Sequence, residues 1–288
     1  MYNGKVKRYK PDIAEQKYKD KRANSKRNYR CLECVEFLNY VVEMFNKKGW
    51  SLDASVGYAQ KNNLFSTDEM VCTKTLYNYV DLGILPIKNI DLPEKLKRNT
   101  KSSSTRKNRK ILGKSIEERT ETVNLREEFG HWEIDSVLGK KKDTEPAIMT
   151  IVERKTRMSL WIKIKDHSSM AIDEALQSLI NRFGTKKSEV FKSITGDNGS
   201  EFANLSNIEN NGISVYFTHP YTSCEKGTNE CHNKMLRRFI PKGKSIDDYS
   251  AEDILFFSDT INGLPRKILN YHTPEELFDN QLDRIYAT

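Results

Sequence analysis

A run of basic residues near the middle of the chain limits how the whole sequence can fold. Residues 95–114, KLKRNTKSSSTRKNRKILGK, contain nine basic and no acidic residues and include three consecutive serines. Such a segment has too little apolar surface to fold alone, so it divides the chain into two parts. We interpret it both as a solvated linker and as a strap along a phosphate backbone. The residues expected to contact DNA here are Lys101, Arg106, Lys107, Arg109 and Lys110.

The charge is divided unequally between these two parts. Residues 1–114 carry 25 basic and 12 acidic side chains, a net charge of +13, whereas the remaining 174 residues carry 23 and 28, a net charge of −5. Residues 1–30 alone hold 11 basic and 3 acidic residues, which indicates a basic arm or an exposed helix. This asymmetry predicts a polyanion-binding part joined to a different functional unit, and nucleic acid is the first partner to consider.

Composition argues against membrane and secreted classes of protein. The mean hydropathy is −0.71, and no apolar run approaches the roughly 20 residues that cross a bilayer. The N-terminus has basic residues without an apolar stretch behind them, so we expect no secretory signal. Five cysteines in a long chain are typical of reduced thiols, and we expect a bacterial cytoplasmic protein without a membrane partner. Cys31 and Cys34 form a CxxC without a second pair at zinc spacing, and we interpret them as structural helix residues.

Residues 31–90 predict a small all-helical domain. Apolar residues recur with helical spacing from Cys34 to Phe45, and Gly49 ends that run. A second short helix is expected after Ser51, and a third from Thr73 to Gly83. Three such helices resemble a helix-turn-helix unit, although an ordinary helical bundle gives the same pattern. The residues expected to face DNA from the third helix are Lys74, Thr75, Tyr77 and Asn78.

After the basic run the pattern changes to strands that alternate with helices. The helices are expected after Ser168 or Ser169 and from about Thr228 to Phe239. Strands and helices in this order predict an α/β fold with a mixed five-stranded sheet. The predicted strands cover residues 131–138, 147–153, 158–164, 191–197 and 213–219.

Three acidic residues in the second part stand where local structure would not select them. Asp135 lies inside a predicted strand, Asp197 ends another strand, and Glu230 begins a predicted helix. Aspartate is a poor strand former, so Asp135 needs a compensating partner, and a bound cation is one such partner. Magnesium takes oxygen ligands, and two ions about 4 Å apart can hold both the attacking and the leaving oxygen of a phosphoryl displacement. The three carboxylates are therefore candidate magnesium ligands.

The last predicted helix has two distinct faces. Glu230, Asn233 and Arg237 share one face, which we expect to approach DNA, while a solvated helix flank remains the plain structural interpretation. A second face, expected to pack on the sheet, carries Cys231, Met235 and Phe239.

Three blocks of this sequence resemble the acidic blocks of the insertion sequence thirty family of DDE transposases. They are EFGHWEIDSVLGK, SITGDNGSEFA and YTSCEKGTNECHNKMLRRFIPKG, and the phrase TKTLYNYVDLGIL extends the resemblance toward the N-terminus. The 33 positions from Asp197 to Glu230 agree with the short second interval of the family. The resemblance implies a ribonuclease-H-like (integrase) fold in which Asp135, Asp197 and Glu230 bind metal. It also implies that Arg237 is the accompanying basic residue of the site, with Asn229 and Asn233 in supporting roles.

The resemblance also implies cofactors, partners and domain limits. We expect two Mg²⁺ ions, for which Mn²⁺ can substitute, and DNA partners that are the element's terminal inverted repeats and the target DNA. A homo-oligomer is expected on DNA, at the nucleoid. The predicted segments are a basic arm (1–30), a helix-turn-helix-like domain (31–90), a basic linker (91–118) and a DDE catalytic domain (119–288).

Three functions are compatible with these features. The first is a DNA transposase that hydrolyses a phosphodiester at the element end and joins the freed 3′-hydroxyl to target DNA. Family members usually begin with a further helix-turn-helix, which this chain is expected to lack, so the second is a catalytically silent DNA-binding regulator. The third, a ribonuclease-H-like nuclease acting on RNA–DNA hybrids, leaves the helical domain without a purpose. We favour the transposase.

Overall fold

The structure is a computed structural model that describes residues 10–25, 29–93, 95, 112–140, 145–219 and 226–287. The five basic residues between Lys101 and Lys110 that are expected to contact DNA lie outside these residues. Within the described ranges no helix is both long enough and apolar enough to cross a membrane.

The N-terminal part is helical, as the sequence predicts. Its first helix lies in the predicted basic arm, and residues 11–23 of it are exposed apart from the partly exposed Ala14. The next three pack around a small apolar core that includes Phe37, Leu52 and Leu76. The helices are α1 (Pro11–Asn24), α2 (Val35–Lys48), α3 (Leu52–Lys61) and α4 (Thr73–Asp81).

Local sequence explains where these helices begin and end. Gly49 follows α2 with a φ of +66°, in the left-handed region that favours glycine. The Ser51 side chain caps α3 by accepting a hydrogen bond from the Ala54 N–H at 3.1 Å. The three helices predicted for this part are therefore confirmed.

The connection between α3 and α4 differs from a tight helix-turn-helix. Residues 62–72 join the two helices and include a short 3₁₀ turn, Thr67–Glu69, held by a capping box between Ser66 and Glu69. A helix-turn-helix uses a turn of about three to four residues at this point. Here the short turn instead joins α2 to α3, so DNA readout by α4 stays a prediction.

The second part is built on a mixed five-stranded sheet, which confirms the predicted fold class. The strand order is β3-β2-β1-β4-β5. β1 is antiparallel to β2 and parallel to β4, β2 is antiparallel to β3, and β4 is parallel to β5. The strands are β1 (His131–Leu138), β2 (Ala147–Glu153), β3 (Ser159–Ile164), β4 (Ser193–Gly196) and β5 (Ser214–Phe217).

Helices cover both faces of this sheet. On one face Trp132 and Ile134 of β1 share an apolar core with Leu176. On the other face Val137 shares a second core with Leu236. Because side chains alternate along a strand, Glu133 and Asp135 point to this second face. The helices of this part are α5 (Glu121–Leu125), α6 (Ser169–Asn181), α7 (Lys187–Val190), α8 (Gly227–Phe239), α9 (Ala251–Asn262) and α10 (Pro274–Tyr286).

The two parts contact each other through α3 and the segment before α10. Tyr271 lies against Gly57, where an added Cβ would meet the tyrosine ring at 2.0 Å. The Tyr271 hydroxyl is hydrogen-bonded to Asp53 at 3.4 Å, and the Lys61 ammonium lies 2.7 Å from His272 Nδ1. A glycine at position 57 is therefore what permits this close approach.

Candidate active site

The aspartates at positions 135 and 197 lie at the same edge of the sheet. Neighbouring parallel strands β1 and β4 align Glu133 with Thr195, so each aspartate follows two residues further along its own strand. The Asp135 Oδ1 accepts a hydrogen bond from the Ser136 N–H at 3.0 Å. The Asp197 Oδ1 accepts one from the Gly199 N–H at 2.9 Å. Strand direction and these local bonds bring the two carboxylates together.

Lys226 joins the two carboxylates. Its ammonium lies 3.3 Å from Asp135 Oδ1 and 3.0 Å from Asp197 Oδ2, and it also donates to the Ile134 carbonyl at 3.2 Å. The side chain is buried, with 8% of its surface exposed. Sequence reasoning missed this residue, because a lysine before a helix carries no signal of burial.

The electrostatics of this cluster favour a charged lysine. Burial alone would lower the pKa of Lys226, but the carboxylates of Asp135 and Asp197 outweigh that effect and raise its pKa above the ordinary value. Burial raises the pKa of Asp135, partly opposed by the Lys226 ammonium. Lys226 therefore places a positive charge between the two carboxylates.

Asn233 of α8 holds the Asp135 carboxylate from the other side. Its amide Nδ2 donates to Asp135 Oδ2 at 2.8 Å. The Thr150 hydroxyl in turn donates to Asn233 Oδ1 at 3.1 Å, and Thr150 is the residue of β2 paired with Asp135. Asn233 was predicted as a DNA contact with a supporting role; the structure shows it hydrogen-bonded to Asp135, and its contact with DNA stays a prediction.

The structure does not bring Glu230 to the two aspartates. The side chain is about half exposed and forms an ion pair with Lys234 at 2.8 Å, one turn further along α8. Across the described ranges, no three His, Cys, Asp or Glu side chains are grouped so that they could hold a metal ion. The complete metal-binding triad stays a prediction, although two of its three members lie together.

Arg237 is anchored at the end of β1. Its Nη2 donates to the Leu138 carbonyl at 2.8 Å, and burial lowers its pKa. This contact places the guanidinium on the Asp135 side of the sheet, three residues beyond that aspartate. Its predicted contact with DNA stays a prediction.

The expected division of α8 into two faces is partly wrong. Cys231, expected to pack on the sheet, is exposed. The buried positions of α8 are instead Thr228, Asn229, His232 and Leu236. The helix is rotated relative to the predicted placement because its sheet-facing side carries polar residues that pair with buried charges, a feature that apolar spacing does not reveal.

An ion pair beneath α8 fixes the position of this helix. Glu133 and Arg154 are buried and paired with each other. Glu133 also accepts a hydrogen bond from the Asn229 N–H in the first turn of α8 at 3.2 Å, where a carboxylate is favoured by the helix dipole. Asp135 lies two residues after Glu133 on β1, and it contacts Asn233, which lies one turn after Asn229 on α8. The same register of α8 on β1 therefore holds both contacts.

A second polar cluster lies beside Asp135. The Ser136 hydroxyl is 2.7 Å from His167 Nε2 and 3.3 Å from Glu201 Oε1. The ion pair with Glu201 raises the pKa of His167. Burial alone would raise the pKa of Glu201, but its interactions with His167 and Ser136 lower it. Glu201 and His167 are further residues of this edge that the sequence reasoning did not single out.

The predicted DNA-facing residues of α4 are all wholly or partly exposed. Lys74, Tyr77 and Asn78 are exposed and Thr75 is partly exposed. Tyr77 also lines a cavity of about 730 Å³, together with Trp50 and Met235. Contact of these four residues with DNA stays a prediction.

The donors at this edge fit a divalent cation. Carboxylate oxygens are the ligands that Mg²⁺ and Mn²⁺ prefer. The positively charged ammonium of Lys226 lies between Asp135 and Asp197. A bound cation is therefore compatible with the two aspartates, whereas Glu230 lies outside that arrangement in this structure.

Comparison with known proteins gives a consistent result. Residues 126–223 match the family described as "Integrase core domain". The chain is 44% identical over 207 residues to the "Probable transposase for insertion-like sequence element IS1161" of Streptococcus salivarius, which covers 72% of this chain and 58% of the relative. It is 32% identical over 170 residues to "Transposase InsI for insertion sequence element IS30A" of Escherichia coli (strain K12), covering 59% of this chain and 43% of the relative. These matches confirm the resemblance found in the sequence.

A third relative covers more of the chain at lower identity. The "Putative integrase ORF3" of Spiroplasma virus SpV1-R8A2 B is 28% identical over 273 residues, 92% of this chain and 80% of the relative. By contrast, the chain spans about half the length of each of the two transposases described above. Both relatives of more than 30% identity described above are named as insertion-sequence transposases.

Proposed function

We propose that this chain, which resembles insertion-sequence transposases and carries a match to the integrase core domain, is a DNA transposase. It would hydrolyse a phosphodiester at the ends of an insertion sequence and transfer the freed 3′-hydroxyl to target DNA. The observation that carries the proposal is the pair of carboxylates, Asp135 and Asp197, that meets at the ends of two parallel strands around one buried cation.

The metal ligands proposed here are Asp135, Asp197 and Glu230. Two Mg²⁺ ions, or Mn²⁺ in their place, would supply an activated water and stabilise the charge on the reacting phosphate. Asp135 and Asp197 already hold the Lys226 ammonium between them. Glu230, on α8, would be the third metal ligand.

The neighbouring side chains of this chain orient the site. Asn233 donates a hydrogen bond to Asp135 Oδ2, and Thr150 donates one to Asn233 in turn, so these hydrogen bonds orient the carboxylate. The buried pair of Glu133 and Arg154 keeps the first turn of α8 on β1. A carboxylate that is already held in one orientation can bind a metal ion without first having to be ordered. Such preorganisation keeps the reacting groups in the geometry that the reaction needs.

Basic residues outside the sheet are proposed to bind the DNA. Exposed Lys74, Tyr77 and Asn78 and the partly exposed Thr75 on α4 support a contact there. Arg237 would contact DNA next to the carboxylates. The basic run of residues 95–114 supports phosphate contacts between the two parts, since each phosphate neutralised strengthens binding at low salt. We propose the terminal inverted repeats and target DNA as substrates, a homo-oligomer on DNA, and action in the bacterial cytoplasm.

The substitution Asp135→Asn tests the proposal. It keeps the shape of the side chain and removes a charged oxygen ligand. We expect loss of strand cleavage in Mg²⁺ by at least about a thousandfold, because a metal ligand acts in the reaction itself. DNA binding measured by gel shift should be retained. Asp247→Asn is the matched control, because Asp247 is exposed and pairs only distantly with Lys163 at 3.8 Å.

Three results would contradict the proposal. One is undiminished cleavage by Asp135→Asn. Another is specific DNA binding by the unaltered chain without any cleavage in Mg²⁺ or Mn²⁺, which would support the regulator instead. The third is a preference for RNA–DNA hybrids over duplex DNA in a competition assay, which would support the nuclease.

A further inference from the structure

We infer that Lys226 is an internal counter-ion that closes the site of Asp135 and Asp197 and has to withdraw before a divalent ion binds. The inference rests on the proposed metal site and adds a residue that controls its loading. Lys226 is thus a positioning residue of the site, and its role differs from that of a metal ligand.

The contacts of Lys226 are those of a bound cation. An ammonium has three N–H donors, and three oxygens surround this one, from Asp135, Asp197 and the Ile134 carbonyl. The ring of Phe202 lies 5.7 Å from the nitrogen, within the range of a cation–π contact. The ammonium thus donates hydrogen bonds to Asp197 and the Ile134 carbonyl and forms an ion pair with Asp135.

A divalent ion would need the same oxygens. Mg²⁺ binds carboxylate oxygens at about 2.0 to 2.1 Å and requires a nearly octahedral arrangement. Lys226 is in contact with an oxygen of each aspartate, so an ion between them would face a full positive charge at contact distance. Like charges at contact distance repel each other, and most strongly where a group is buried, as the Lys226 side chain is. The two cations therefore exclude each other.

The position of Lys226 in the chain allows exchange without loss of structure. It directly precedes α8, which begins at Gly227, so its side chain can withdraw while the helical hydrogen bonds remain. Asp135 keeps its contacts with Ser136 and Asn233 when the lysine leaves. Asp197 keeps its bond from the Gly199 N–H. The two carboxylates would thus remain positioned for an incoming ion.

If Lys226 and a divalent ion compete for the same two carboxylates, removal of the lysine charge should raise the affinity for the ion. When the binding-competent state is a minor one, at roughly 1 to 10% of the population, the apparent Kd is raised by about ten- to a hundredfold. Lys226→Met retains much of the side-chain length and removes the charge. We expect this variant to bind Mn²⁺ about ten- to a hundredfold more tightly than the unaltered chain.

The experiment is a Mn²⁺ titration of the full chain followed by electron paramagnetic resonance, with thermal melting in parallel. Lys226→Met should melt lower than the unaltered chain without ion and gain more in Tm when Mn²⁺ is added. Lys226→Arg keeps the charge and should bind Mn²⁺ weakly. Lys163→Met is the control for net charge, since Lys163 is hydrogen-bonded to the Tyr249 carbonyl away from the two aspartates, and it should bind Mn²⁺ like the unaltered chain.

A second measurement uses the unaltered chain and does not depend on a folded variant. Acetic anhydride acylates exposed lysines, and mass spectrometry reports the extent at each one. Lys226 should be acylated slowly without ion and faster when Mn²⁺ is bound. An unchanged or slower reaction would overturn the inference.

The titration distinguishes failure of this inference from failure of the proposed metal site. If the unaltered chain binds Mn²⁺ and Lys226→Met binds it equally or less tightly, the lysine does not compete and the inference is wrong, while the proposed function stands. If neither binds Mn²⁺, both the inference and the metal site are wrong.

Discussion

The helical part α2–α4 and the sheet face beneath α8 are built on opposite principles. In the helical part the buried residues are apolar, as shown by Phe37, Leu52 and Leu76. Beneath α8 the buried residues include the charged side chains of Glu133 and Arg154. Apolar cores tolerate many side chains of suitable volume, whereas buried charges need partners in defined positions.

The buried charges beneath α8 fix the relative positions of the elements that carry them, whereas the apolar core of α2–α4 mainly stabilises the fold. A buried charge that loses its partner is costly, so each pair restricts the relative position of the elements that carry it. Glu133 and Asp135, adjacent on one face of β1, contact Asn229 and Asn233, one turn apart on α8. The helix that carries Glu230 is held in register by charge rather than by apolar packing alone.

The largest effect on stability is expected from breaking the buried ion pair. Arg154→Met leaves the Glu133 carboxylate buried and unpaired, and should lower the free energy of unfolding by about 3 to 5 kcal/mol. Chemical denaturation followed by circular dichroism measures the loss. The double variant Glu133→Met with Arg154→Met should recover part of it, because no unpaired charge is left. A loss below about 1 kcal/mol for the single variant, as for a surface pair, would contradict this view.

A similar or smaller loss is expected from the apolar core of the helical part. Leu76 is fully buried, and Leu76→Ala should cost about 2 to 5 kcal/mol through lost burial and a cavity. Val35→Ala is the control, because Val35 is about half exposed on α2, and such surface changes stay within roughly 0.5 kcal/mol. If Leu76→Ala leaves the denaturation midpoint unchanged, the α2–α4 core is not a cooperative part of the fold.

The same contrast explains how much of the fold the sequence could predict. Apolar periodicity predicted α2 and α4, and the runs of β-branched and aromatic residues predicted all five strands, because burial of apolar surface leaves a regular spacing. The mixed sheet followed from the order of the elements. The length of the connection between α3 and α4 was not predicted. The capping box at Ser66 indicates a turn, but it does not determine how the chain runs on either side of that turn.

The candidate site was predicted in part for the same reason. Asp135 and Asp197 were visible because an aspartate in or at the end of a strand is unusual. Lys226 and Arg154 were missed, because a buried cation is recognised only when the sheet brings its partners near it. The rotation of α8, which exposes Cys231, was missed because the side chains of Thr228 and Asn233 face the sheet through polar contacts with Arg157 and Asp135. The proximity of Glu230 to the aspartates remains a prediction.

An intermediate effect on DNA binding is expected from the exposed face of α4. Lys74→Ala should lower the slope of log affinity against log salt concentration by about 0.9 if the lysine neutralises one phosphate. Fluorescence anisotropy with a duplex at several salt concentrations measures the slope. Lys47→Ala is the control, because Lys47 is exposed on α2 and already paired with Glu43. Equal slopes for the two variants would argue against α4 as a DNA-contacting surface.

The smallest effect is expected at the edge of the sheet domain. Hydrogen bonds from Lys192 and His131 lower the pKa of Glu128 to about 2. A carboxyl whose folded pKa is depressed contributes stability above its unfolded value, and that contribution is lost as the pH falls from about 4.5 toward 2. Glu128→Gln should therefore lower the Tm slightly at pH 7 and have almost no effect near pH 2. A difference in Tm that persists at pH 2 would contradict the assignment.

The most direct test of the site itself is an anomalous difference map from crystals of the full chain grown with Mn²⁺. We predict a peak bound by the carboxylates of both Asp135 and Asp197, with the Lys226 ammonium withdrawn from between them. A map without a peak in contact with either aspartate, at a Mn²⁺ concentration that saturates the protein in solution, would contradict this prediction.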